Sequence, residues 1–234
     1  MSLTLKNLKF KADSPDSDGD RWVQTKAKLS LDGAHGGTLL RMNLLVANAD
    51  GLPLVIEDER REEPLDPGDS EKVEVTAMAR VSLKGSSAQL RAELLDAHSV
   101  DLGTHEIQGV GSAVGGGSPI TLSQGVVLSC WSVVVGNKDS DGDARLTMLA
   151  VVDNAGKQAV AEVSVQMHLL KPKGGELESC DDELKGLLPG QTASIEASTY
   201  TKAKWFKKGV KVRCSATVRW VVASGVSEWA PLKT

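Results

Sequence analysis

From Lys72 to Leu83 the chain alternates without a break, with Val73, Val75, Ala77, Ala79, Val81 and Leu83 on one side and Lys72, Glu74, Thr76, Met78, Arg80 and Ser82 on the other. A period of two puts the apolar set on one face of a β-strand and the polar set on the face turned to water. The same period runs through Ala27, Leu29 and Leu31, through Leu40, Met42, Leu44 and Val46, and through Leu90, Ala92 and Leu94. Later it returns in Val163, Val165, Met167 and Leu169, and from Val210 through Val212, Cys214, Ala216 and Val218 to Trp220. Leu3, Leu5, Leu8 and Phe10 predict a first strand whose alternation slips once. A last strand of the first half is expected within Val100 to Ile107. Turn signals separate these runs at Asp32-Gly33, Asp50-Gly51, Pro67-Gly68 and Lys84-Gly85. Glu57 to Glu63 is charged throughout and predicts a solvated connection or an exposed edge; Lys171 to Gly190 predicts a polar connection. No stretch calls for a helix.

The chain also repeats itself. Asp16-Ser17-Asp18-Gly19-Asp20 returns as Asp139-Ser140-Asp141-Gly142-Asp143, 123 positions on. Leu65-Asp66-Pro67-Gly68 returns as Leu187-Leu188-Pro189-Gly190 and Leu90-Arg91-Ala92 as Val212-Arg213-Cys214, both shifted by 122. Anchors that keep their order and nearly their separation predict duplication of a whole domain. The expected organisation is a β-sandwich over 1–108, a Gly/Ser-rich flexible linker over 109–119 and a second sandwich over 120–234. An alternating strand, then Asp50-Gly51, an acidic connection, Leu65 with Pro67-Gly68 and a long alternating strand form a pattern that resembles bacterial immunoglobulin-like or fibronectin-type repeats, FxLYD-like domains in particular. The fold expected is therefore all-β, two tandem immunoglobulin-like antiparallel β-sandwich domains related by internal duplication.

Charge changes the picture only in its distribution. The net charge is −4, but residues 1–119 carry 13 Lys and Arg against 19 Asp and Glu, and residues 120–234 carry 14 against 12. Such asymmetry favours head-to-tail self-association or two different partners, without pointing to nucleic acid. No apolar run approaches the length of a membrane span, and the amino terminus carries no export signal pattern. Cys130, Cys180 and Cys214 are an odd count, all in the second half, and form no CxxC pair. Reduced thiols and a cytoplasmic setting are expected.

Two stretches carry candidate chemistry. The paired acidic loops offer Asp16, Asp18 and Asp20, and Asn137, Asp139, Asp141 and Asp143, as oxygen ligands for calcium, with glycine allowing the bend. Neither loop supplies the closing Glu of an EF-hand, and Asp- and Gly-rich turns form through their own backbone hydrogen bonds. The second stretch is basic and aromatic: Lys202, Lys204, Trp205, Lys207, Lys208, Lys211 and Arg213 combine positive charge with a stacking surface. It reads either as a solvated hairpin tip or as a surface for an anionic partner. The four histidines are scattered, and no nucleophile elbow, phosphate loop or dinucleotide fingerprint is present. No catalytic residue is assigned. The function expected is a non-catalytic structural or protein-protein interaction module within a larger assembly, without a cofactor; calcium-dependent binding or adhesion through the acidic loops is the alternative.

Overall fold

The computed structural model describes residues 2–32, 37–61, 65–66, 68–80 and 82–232, with the backbone alone at Lys207. His35 and the turn glycine Gly33 lie outside them, as do 62–64 of the charged stretch, Pro67 and Val81. The described chain is nearly all strand, and none of its helices is long and apolar enough to cross a membrane. It divides into two compact units, but not into consecutive halves. Unit 1 comprises Met1–Asp96 together with Val221–Thr234, and unit 2 comprises Ala97–Trp220.

Unit 1 contains β1 (Ser2–Ala12), β2 (Arg21–Asp32), β3 (Leu39–Ala47), β4 (Pro53–Arg61), β5 (Ser70–Ala79) and the first half of β6 (Ser87–Glu106). Unit 2 contains the rest of β6, β7 (Ala113–Gly115), β8 (Ile120–Ser123), β9 (Val126–Lys138), β10 (Asp143–Asn154), β11 (Val160–Leu170), β12 (Glu176–Leu187), β13 (Thr192–Lys202) and the first half of β14 (Lys211–Val226). The end of β14 and β15 (Ala230–Pro231) belong to unit 1 again. In unit 1 a sheet ordered β1-β2-β5 accompanies one ordered β4-β3-β6-β14; in unit 2 the sheets run β13-β10-β9-β7, with β8 also on β9, and β12-β11-β14-β6. The ladders within each sheet are antiparallel.

Each unit has a core of its own, filled by the alternation seen in the sequence. Val23, Ala27, Leu29 and Leu31 of β2 meet Met42, Leu44 and Val46 of β3 and Leu90, Ala92 and Leu94 of β6. Met148, Ala150 and Val152 of β10 meet Val163, Val165, Met167 and Leu169 of β11 and Val212, Cys214, Ala216 and Val218 of β14. The slip in β1 is a bulge. Lys6 pairs with Lys28 but Lys9 with Lys26, and Asn7 between them has φ 55°. The extra residue swings Leu8 and Phe10 toward the core while keeping Lys6, Lys9 and Lys11 outside.

Four expectations are corrected. The segment 109–119 is not a free linker. Ala113, Val114 and Gly115 pair with Val134, Val133 and Ser132 of β9, and the amides of Gly111 and Val135 donate to the carbonyls of Val135 and Ser112. Gly115 is required there, because a Cβ would fall 2.8 Å from the Trp131 ring. The boundary falls instead inside β6, between Asp96 and Ala97, and the carboxy-terminal residues complete unit 1. The polar connection Lys171 to Gly190 contains a complete edge strand, β12, whereas the charged stretch after Leu54 is the exposed edge, one of its two expected readings, as β4. The longest alternation ends as a strand at Ala79, with Leu83 buried beyond it.

Candidate functional site

The acidic loops connect β1 to β2 and β9 to β10, and they are built alike. One carboxylate oxygen of Asp16 accepts the amides of Asp18 and Asp20 at 3.0 and 2.9 Å; Asp139 does the same for Asp141 and Asp143 at 3.0 and 2.8 Å. Gly19 and Gly142 take φ of 84° and 83°, a region open to residues without a Cβ. The β3–β4 loop repeats this geometry with Asn48, whose side-chain oxygen accepts the amides of Asp50 and Leu52 at 3.0 and 2.9 Å, and with Gly51 at φ 80°. An amide oxygen serves where a carboxylate does in the other two, so the loop needs a short acceptor at its first position and no charge. The last aspartates are used across the strands. Asp143 receives Lys202 Nζ at 2.9 Å, and Asp20 lies 3.7 Å from Arg80 Nε. Asp18, Asp141 and Asn137 remain at the solvent, and the described residues hold no group of three or more His, Cys, Asp or Glu fit for a metal ion.

The basic-aromatic stretch is not a hairpin tip. It links β13 in one sheet of unit 2 to β14 in the other, and Ala203–Lys208 wind into a 3-10 turn that makes the crossing. Phe206 fixes the turn by inserting into the core, while Trp205 is half-buried against the core margin. Lys208 Nζ stands 4.7 Å from the centroid of the Trp205 ring, a cation–π distance. The ammonium of Lys202 bonds Asp143, which raises its pKa, and the Ala203 amide donates to Gly142 at 2.9 Å. These bonds clamp the second acidic loop to the root of the basic turn, so two stretches 60 residues apart in sequence form one corner.

Clefts open on both flanks of the turn. One, about 620 Å³, is lined by Lys138, Lys202, Lys204, Asp141, Val110 and Phe206. The other, about 390 Å³, is formed by Trp205 and Lys208 with Lys171, Pro172, Lys173 and Gly174 of the β11–β12 loop. Of the expected binding residues, Lys202 and Lys204 therefore flank one cleft and Trp205 and Lys208 the other. Lys211 and Arg213 stand apart, exposed on β14 opposite Leu170 and His168. The side chain of Lys207 lies outside the described residues. Lys138, Lys171 and Lys173 join the corner without any sign in the local sequence, since their closeness to Trp205 or Lys204 is a product of strand order. The result is a surface of primary ammonium groups around one accessible indole, suited to carboxylates or phosphates next to an apolar group.

No family model matches the chain, and no curated protein does. Among solved structures, red sea bream transglutaminase aligns over 100% of this chain and 32% of its own, with 10% identity and a TM-score of 0.24. A putative β-galactosidase from Bacteroides fragilis aligns over 97% and 41%, with 12% identity and a TM-score of 0.30. The protein pT26-6p aligns over 93% and 66%, with 8% identity and a TM-score of 0.25. The chain thus spans between about a third and two thirds of the length of the structures it is similar to.

Proposed function

We propose that this chain is a non-catalytic protein-interaction module, built of two immunoglobulin-like units from one internal duplication, that docks an acidic segment of a partner protein at the 3-10 corner of unit 2. The duplication is supported by hydrogen bonds that recur at the repeat spacing. The Gly68 amide donates to Leu31 and the Gly190 amide to Asn154; Leu31 donates in turn to Asp69, and Asn154 to Gln191. Strand order supports it too, β1-β2-β5 with β4-β3-β6 corresponding to β9-β10-β13 with β12-β11-β14. Three free thiols support a reducing, cytoplasmic setting.

The observation that carries the docking reading is Trp205, half-buried beneath Lys208 and set between two lysine-lined clefts. An indole anchor ringed by cations is the composition of an interface hot spot for an acidic peptide. The test is titration of the full chain with a Glu/Asp-rich peptide bearing one aromatic residue, followed by tryptophan fluorescence and calorimetry. Saturable binding that Trp205→Ala and Lys208→Ala each weaken at least tenfold is expected. Binding unchanged in both variants, or seen only with duplex DNA and a steep salt dependence, would remove the reading.

A further inference from the structure

The outer face of the β1-β2-β5 sheet in unit 1 carries an arrangement that no single stretch of sequence displays. Lys6 of β1 pairs with Lys28 of β2, and Lys28 with Lys72 of β5, so three ammonium groups stand in one row across the sheet. The neighbouring row is Lys9, Lys26 and Glu74, in which Lys26 bonds Glu74 at 2.9 Å. Lys11 bonds Asp13 at 2.7 Å. Lys6, Lys9, Lys28 and Lys72 are exposed and have no ion pair among the described residues. Adjacent strands lie about 4.8 Å apart, and like charges directly opposite destabilise a sheet. This face thus works against its own stability, in a half of the chain that is acidic overall.

The same face ends in an apolar pair. Trp22 and Met78 stand opposite each other on β2 and β5, 45% and 36% exposed. All the cations of the array are lysines, compact hydrated point charges on flexible stems that fit a diffuse negative surface better than a shaped bidentate site. We propose that this face binds the anionic surface of a lipid bilayer, the lysines meeting acidic headgroups and Trp22 with Met78 entering the headgroup region. An open two-dimensional array with an indole at its rim matches a flat, negatively charged interface. Duplex nucleic acid keeps its bases stacked on one another and presents a linear row of phosphates, which leaves the Trp22–Met78 pair unused. The site lies on unit 1 and does not depend on the corner of unit 2.

Sedimentation of the full chain with vesicles of phosphatidylcholine plus a third phosphatidylserine, with phosphatidylcholine vesicles alone, and with duplex DNA in a parallel binding assay, decides the matter. Partitioning to the anionic vesicles only is expected, with a blue shift of tryptophan emission that Trp22→Ser abolishes. Each lysine near an anionic surface is worth about a fivefold change, so Lys6→Gln, Lys28→Gln and Lys72→Gln together should lower partitioning by about a hundredfold. That triple variant should also melt at a higher temperature than the parent, which separates lost binding from lost folding. Lys84→Gln, an exposed lysine in the turn between β5 and β6, should change nothing. Equal partitioning to neutral vesicles, partitioning unmoved by the triple variant, or tighter binding to DNA than to anionic vesicles would overturn the proposal.

Discussion

The three side chains that organise the matching hairpin loops, Asp16, Asn48 and Asp139, use one oxygen on two amides apiece. Because Asn48 does this work with no charge, Asp139→Asn should leave stability within a few tenths of a kcal/mol, whereas Asp139→Ala orphans both amides and should cost about 1 kcal/mol in chemical denaturation. Millimolar calcium should move the melting temperature of none of these proteins. The thiols should separate by reactivity. Burial and then the charge of Asp181 hold Cys180 up at about 11, burial holds Cys214 up at about 12, and Cys130 is exposed. Since the thiolate is the nucleophile, a raised pKa means slower attack at neutral pH. Alkylation should therefore mark Cys130 first at pH 8, reach Cys180 appreciably only when the pH is raised toward 11, and reach Cys214 only on unfolding. In the core of unit 2, Arg219 bonds Glu162 at 2.6 Å, the carboxylate side chain being 1% exposed. Glu162→Ala leaves a partly buried guanidinium without this partner and should cost about 3 kcal/mol, read from the shift of the unit 2 unfolding transition.

At the scale of elements, the strands that straddle the division carry the most consequence. The end of β14 gives unit 1 its partner for β6, with the Ser227 amide donating to Leu90 at 2.9 Å, and Ala223 and Leu232 join the unit 1 core. A chain stopped after Trp220 should lose the cooperative unfolding of unit 1 and keep that of unit 2, as two-transition calorimetry and limited proteolysis would show. Leu232→Ala alone should cost unit 1 about 2 kcal/mol. The sequence displays the strands that face one core throughout their length, and it displays even the bulge in β1, because a slipped alternation is the bulge's own signature. It does not display β6 as one strand. Asp96, His98 and Ser99 separate Leu95 from Leu102 and resemble a turn, yet the strand continues through them while leaving one core and before joining the other. Periodicity reports burial, and a segment with no core on either side has none to report. The corner in unit 2 was legible as composition at 202–213, but Lys138, Lys171 and Lys173 were not, because strand order rather than spacing brings them there.

For the whole molecule, the partition makes the units unequal in their dependence on the chain. Unit 2 is contiguous, Ala97–Trp220, and has a core of its own within that span; unit 1 is assembled from two separated pieces. Residues 97–220 expressed alone should therefore fold, with dispersed amide resonances and a sharp melt, while residues 1–108 should not, although that fragment holds the six strands one would assign to a domain. The missing piece can be restored without unit 2. The Ser227 amide donates to Leu90, so the carboxy-terminal piece runs back along β6 and brings its Val221 end toward Asp96. Joining Asp96 to Val221 through Asn-Gly would close the two strands with a two-residue type I′ hairpin, the connection that best suits the twist of a ladder. That 1–96–Asn-Gly–221–234 chimera should regain a cooperative transition that the 1–108 fragment lacks. A chimera no better folded than the fragment would show that unit 1 takes its stability from more than its own strands, and that the pairing of β6 with the end of β14 is a consequence of the full chain rather than a cause of the unit.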